Sequence, residues 1–213
     1  MSDQREKILA CACDLYLSEG LEGVSMRELA RRLGVTAPAL YRHYESREHV
    51  LADVVRSAYR EFAASLYRAL EGGTPRERLV RAGEGYLDFA LAYPRWYQLL
   101  FISPEQLGVP HLPDDIEAMG CGVHQFWVDR VRECQDAGIL RAGDPREVSL
   151  TMWGHAHGLV SLYHNGHFRM DEAAFRREFL RSAVAMMTGL STPDFANMLR
   201  EESAADHPVE AHG

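Results

Sequence analysis

A chain of 213 residues that is 46% apolar can form one domain with an appendage or two unequal domains, with ample material for a buried core. No run approaches the roughly 20 uninterrupted apolar residues that cross a bilayer, and charges throughout the first twenty residues leave no room for a secretory signal; no membrane partner and a cytoplasmic location are therefore expected. A formal net charge of −8 argues against binding nucleic acid by bulk electrostatics, yet residues 1–50 carry 7 basic and 8 acidic side chains while residues 51–213 carry 16 and 23, so the acidic excess lies outside the N-terminal segment.

Apolar residues recur at three- and four-residue spacing almost throughout, with no sustained alternation of period two, which predicts an all-α fold. Ile8, Leu9, Ala12, Leu15 and Tyr16 form the first stripe, over residues 4–19, closed by Gly20. Ser25 and Glu28 have the spacing of a capping box and open a short helix over residues 26–33, ended by Gly34. Thr36 caps a third helix, with Pro38 in its first turn, that runs to about Tyr44. Ser46 then opens a long connector helix ending at Gly72-Gly73. Further helices are expected from Thr74 to before Pro94, from Arg95 to Ile102, from Asp114 to Ala137, from Asp144 to Asn165 and from Asp171 to near Gly189, with a proline-interrupted loop over 103–113. From Ser191 onward the chain is acidic and poor in apolar residues, and fraying is expected over 191–213.

Two short helices around a glycine turn, braced by a helix before them, form the plan of a helix-turn-helix, whose second helix enters the DNA major groove. The run Gly34-Val-Thr-Ala-Pro-Ala-Leu-Tyr-Arg-His-Tyr-Glu-Ser-Arg-Glu48, followed by Val50-Leu51 and preceded by Val24-Ser-Met-Arg-Glu-Leu-Ala30, closely resembles the N-terminal signature of the tetracycline-repressor (TetR) family. The resemblance implies a DNA-binding domain over residues 1–51 in which Arg27, Thr36, Ala37, Pro38, Tyr41, Arg42, His43 and Arg47 face operator DNA. Short side chains at the start of the third helix let it sink into the groove, where Ala37 and Pro38 meet a thymine methyl and Thr36 a base or phosphate. Tyr41, His43 and Arg47 match positions that touch phosphate, Arg47 at a helix N-terminus. Leu40 and Tyr44 are read as core of the small unit. Ala37 departs from the polar residue frequent there, so few direct base hydrogen bonds are expected.

The same resemblance implies a larger helical domain, residues 52–190, for ligand binding and dimerisation. Its aromatic and methionine inventory includes Trp96, Tyr97, Phe101, Met119, Phe126, Trp127 and Trp153, side chains that give an apolar ligand contact area and adaptability, or that simply fill a core. These residues, with His157 as a polar group, are the expected ligand contacts. On the helix over 144–165, Thr151, Gly154, Gly158 and Ser161 form a small-residue strip while Val148, Met152, Leu159 and Leu162 make other sides apolar. Such a helix must be buried nearly all round, which with the apolar positions of 171–189 suits a homodimer built through helices of about 145–165 and 171–189. Trp153-Gly-His-Ala-His157-Gly158 resembles a Trp…His-Gly motif of one TetR subgroup.

His155 and His157, two apart on a helix, diverge, and His157 and His164 lie too far apart along the axis to chelate, so no metal is expected. The four cysteines, Cys11, Cys13, Cys121 and Cys134, are read as small buried residues. No catalytic triad, carboxylate pair or phosphate loop stands out, so neither enzyme activity nor a cofactor is expected. The sequence reads as a transcriptional regulator with double-stranded operator DNA and a small-molecule effector as partners, a repressor released by a hydrophobic or aromatic ligand; an activator or ligand-independent binder of the same fold is the alternative.

Overall fold

The helical periodicity of the sequence becomes eleven α-helices among residues 2–206, the part of the chain that the computed structural model describes. In chain order they are α1 (Ser2–Glu19), α2 (Met26–Leu33), α3 (Ala37–Tyr41), α4 (Arg47–Tyr67), α5 (Pro75–Ala92), α6 (Pro94–Leu99), α7 (Pro104–Leu107), α8 (Asp114–Asp136), α9 (Pro145–His164), α10 (Glu172–Leu190) and α11 (Pro193–Asp206). No described helix is long and apolar enough to cross a membrane. The helices divide into two compact units, Met1–Ser65 with Ala92–Val123, and Leu66–Leu91 with His124–Gly213.

In the first unit, Ile8, Ala12 and Leu15 of α1, Leu29 of α2, Leu40 of α3 and Val50, Leu51 and Val54 of α4 are all at most 1% exposed. Each of the leucine, isoleucine and valine side chains contributes about 1.5–3 kcal/mol by leaving water. Ser25 caps α2 by accepting from the Glu28 amide at 3.2 Å, but Glu28 does not reach back as a capping box would. Its carboxylate instead binds Arg31 and Arg32, and these charge-assisted contacts hold it down to a pKa of about 2. Gly34, at φ +65°, then ends α2 in the left-handed region.

The expected domain boundary at residue 51 differs from this division, because α4 stays with the first unit through Ser65 and α6 joins it as well. The reason is local: Tyr16 Oη donates to the Arg95 carbonyl at 2.7 Å, Arg95 Nη1 donates to the Tyr16 carbonyl at 3.0 Å, and the Tyr16 and Trp96 rings lie 5.9 Å apart. Tyr59 Oη of α4 likewise donates to the Leu100 carbonyl at 3.0 Å. Within the expected loop 103–113, Ser103 and Gln106 make a reciprocal capping box that forms α7.

The second unit packs α5, the latter part of α8, and α9 to α11 around Leu79, Val131, Cys134 and Leu140. Glu133 of α8 joins Arg78 of α5 at 2.9 Å and Arg130 at 2.6 Å, and Tyr163 of α9 stacks on Phe175 of α10 at 4.1 Å. Of the cysteines, Cys134 is buried, Cys11 and Cys13 are half-buried and Cys121 is exposed, contrary to expectation. The expected fraying from Ser191 is corrected as far as Asp206: Ser191 and Ala196 are buried, Thr192 hydrogen-bonds the Gly138 and Ile139 carbonyls, and α11 follows. Residues 207–213 of that stretch lie outside the described residues.

Candidate DNA-binding surface and ligand cavity

Helix α3, expected from the sequence to be the recognition helix, is five residues long, and its backbone turns at Arg42 and His43 before reaching Tyr44. Leu40 and Tyr44 point inward, 1% and 2% exposed, while Thr36, Pro38, Tyr41 and Arg42 are exposed and Ala37 and His43 half-buried. Thr36 makes no side-chain cap bond, which leaves its hydroxyl at the exposed tip of the helix. Arg27 at the start of α2 is also exposed. Among the described residues neither Arg27 nor Arg42 forms an ion pair, whereas Arg31 and Arg32 are tied to Glu28 and Glu19.

Arg47 sits differently from its expected place on a phosphate. Its Nε and Nη2 donate to the carbonyls of Val24 and Leu21, both at 2.6 Å. The guanidinium fastens the start of α4 to the turn between α1 and α2.

Beneath α3 lies a polar hub that sequence reasoning missed. Tyr44 Oη donates to Asp53 at 2.7 Å, Arg5 of α1 reaches the same carboxylate at 2.9 Å and stands 4.7 Å over the Tyr44 ring, and Arg56 joins it at 2.7 Å. Arg56 also clasps Asp115 of α8 with two bonds of 2.5 and 2.9 Å. Burial alone would raise the Asp53 carboxyl, but the bonds from Tyr44, Arg5 and Arg56 outweigh it and hold it below its ordinary value. Burial, then the hydrogen bond to Asp53, pushes the Tyr44 hydroxyl up to about 12. The signal for this hub, an Asp nine residues past a tyrosine, has no meaning until α1, α3 and α4 are packed.

The second unit holds a cavity of about 290 Å³ among α5, α8, α9, α10 and α11. Trp127 and Trp153 line it, together with Tyr86, Phe179 and Met187. The other expected contacts are corrected. Trp96, Tyr97, Phe101 and Met119 belong to the first unit, where Trp96 packs on Tyr16 and Tyr97 on Phe101 at 5.1 Å. Phe126 is buried against Tyr67, Trp127 and the Arg130 guanidinium rather than in the wall. His157 lies beside the Trp153 ring at 5.8 Å with its Nε2 3.3 Å from the Ser161 hydroxyl, while the histidine in the wall is His155, whose Nε2 is 2.8 Å from Ser182. Burial lowers the pKa of both, which favours neutral imidazoles. Among the described residues no cluster of three or more His, Cys, Asp or Glu is placed to hold a metal.

Comparison with known proteins agrees with this geometry. Residues 8–54 match the family model of bacterial regulatory proteins of the tetR family, and residues 79–187 match that of the tetracyclin repressor-like C-terminal domain. The transcriptional activator FasR of Mycolicibacterium smegmatis is 29% identical over 100 residues, 46% of each chain. The repressor KstR2 of the same organism is 24% identical over 143 residues, covering 66% of this chain and 69% of that one. The chain therefore spans about half the length of FasR and rather more of KstR2. A solved structure from Rhodococcus sp. RHA1, of a protein of unknown function, superposes with a TM-score of 0.78 at 25% identity, covering 88% of this chain and 95% of that one. With the C-terminal model spanning 79–187 and the N-terminal one lying on the helix-turn-helix, the chain belongs to the TetR family of bacterial regulatory proteins.

Proposed function

We propose that the chain is a homodimeric repressor that holds a palindromic operator and lets it go when a small apolar or aromatic effector fills the cavity of the second unit. The observation that carries this reading is the cavity itself. Native interiors are close-packed, so an aromatic-lined space of about 290 Å³ in a family of regulators is best understood as room for a ligand. Repression is preferred to activation because the match to the repressor KstR2 extends over 66% of the chain and that to the activator FasR over 46%.

Dimerisation is supported by the outer face of α9. Leu150 is 56% exposed and Leu162 43%, and, the helix's own backbone aside, no atom lies within 4 Å of where a Cβ would stand at Gly154 or Gly158. Uncovered leucines beside an open small-residue strip suit close approach of a second copy. Two copies would set their α3 helices about one helical turn of DNA apart, or a multiple. Helix α8 supplies Trp127 to the cavity and Asp115 to the Arg56 clasp. By linkage, the effector and the operator then weaken each other's binding equally.

The test is fluorescence anisotropy of the intact chain on a short palindromic duplex from upstream of its own gene. Binding at least about tenfold tighter than to a scrambled duplex is expected, with loss of affinity when an apolar compound that raises the Tm is added. Equal binding to both duplexes at low salt overturns the operator, and an operator complex indifferent to every stabilising compound overturns induction.

A further inference from the structure

We propose that α11 is a lid on the cavity, hinged at residues 190–192 and latched at its outer part by Arg76 and Glu202, so that lifting of this helix admits and releases the effector. The inference rests on the reading of the cavity as an effector site. Phe195, Leu199 and Glu202, four and three residues apart and therefore on one helix face, all line the cavity, so α11 is one of its walls. Lifting α11 would widen the mouth of this partly open space.

The two ends of this wall are held very differently. At its root the Thr192 amide donates to the Ile139 carbonyl at 3.0 Å, the Thr192 hydroxyl to the Gly138 carbonyl at 2.8 Å and Arg141 Nε to the Ser191 carbonyl at 2.9 Å, and Ala196 is only 5% exposed. Ser191 is extended, with φ −79° and ψ 159°, so no continuous helix stiffens the passage from α10 to α11. Beyond Ala196, among the described residues, the polar tie of α11 to another element is that of Glu202 to Arg76 of α5, at 2.5 Å. The same guanidinium lies 5.4 Å from the Phe195 ring, so one side chain of α5 holds both the charged and the aromatic residue of the lid. The side chains of Arg76 and Glu202 are 41% and 48% exposed, and an ion pair so wet is weak and salt-sensitive. That combination, a pinned root and a weak outer latch, is what a reversible closure requires. A ligand in the cavity gives Phe195 and Leu199 apolar surface to close upon, so the latch governs how fast ligand passes more than how tightly it is held.

The experiment is stopped-flow fluorescence of the intact chain with N-phenyl-1-naphthylamine, a neutral apolar fluorophore that has no charge of its own to favour either latch residue. Glu202→Gln and Arg76→Met are expected to raise both the association and the dissociation rate by roughly two- to fivefold. High salt should speed the wild type and leave the variants alone, and the charge-swapped pair R76E/E202R should return the rates toward those of the wild type. Rates that are the same in wild type and both single variants, and insensitive to salt, overturn the lid and leave α11 a fixed wall. Failure of the wild type to bind the fluorophore, or binding that survives filling of the cavity by Ala183→Trp, overturns the effector cavity itself and the lid with it, a result distinct from unchanged rates.

Discussion

The first unit is fastened by polar contacts of defined geometry under its recognition helix, and the second encloses a space that its apolar side chains leave unfilled. In the first, Asp53 alone gathers Tyr44, Arg5 and Arg56, and Arg47 spends its guanidinium on two carbonyls of the α1–α2 turn. In the second, the polar groups around the cavity include Glu84, His155 with its partner Ser182, and the wet pair of Arg76 and Glu202. Reading DNA demands that α3 be held in one place, because base contacts fail if the helix shifts. Taking up a ligand demands the reverse, packing that stops short of completion.

The largest test of this contrast is Leu40→Ala. Leu40 is 1% exposed at the centre of the small unit, and its truncation should cost roughly 2–5 kcal/mol, read as a shift in the urea midpoint, with DNA binding lost. A cost below about 1 kcal/mol would mean the first unit is not the close-packed one.

Asp53→Asn comes next. The Asp53 side chain is 14% exposed, and asparagine keeps an acceptor for Tyr44 but removes the charge that holds Arg5 and Arg56, which should cost about 2 kcal/mol. The pH dependence has a fixed sign. The folded carboxyl is held below its ordinary value of 3.8, so its contribution is complete above that value and is lost as pH falls through the lower folded one. The Tm gap between wild type and variant should therefore be constant at neutral pH and shrink below about pH 4. A gap that widens on acidification would contradict the hub.

Met187→Ala probes the other unit. Met187 lines the cavity and already lacks partner atoms on one side, so less contact is lost than at Leu40, and a cost under about 1.5 kcal/mol is expected. DNA affinity should hold while affinity for an apolar fluorophore changes. A loss matching that of Leu40→Ala would erase the distinction between the units.

How much of this was legible in the sequence follows the same divide. Helix periods, caps and the run from Val24 to Leu51 led directly to α1–α4, because those signals are local and each residue's type constrains its own turn. Contacts between distant segments were not legible. Nothing in Tyr16 foretells that it will exchange hydrogen bonds with Arg95, which is what draws Trp96 away from the ligand cavity. His155 and His157 are two residues apart, and which of them faces the cavity depends on the rotation of α9, which residue types alone leave open. The acidic composition of the last stretch concealed α11, because three apolar residues, Phe195, Ala196 and Leu199, suffice to seat a helix when a cavity and a pinned root await them.

The smallest expected effect isolates backbone conformation from packing. Gly34 closes α2 at φ +65°, and nothing lies within 4 Å of where its Cβ would stand, so Gly34→Ala adds no clash. Its cost is the strain of a left-handed residue bearing a Cβ, about 1 kcal/mol. Asparagine tolerates that region better than alanine, so Gly34→Asn should cost less than Gly34→Ala although its side chain is larger. Thermal melts of the two variants check the order. If Asn proved the more damaging, space rather than φ would govern the turn, and the angle between α2 and α3 would owe its definition to side-chain packing instead of to the glycine.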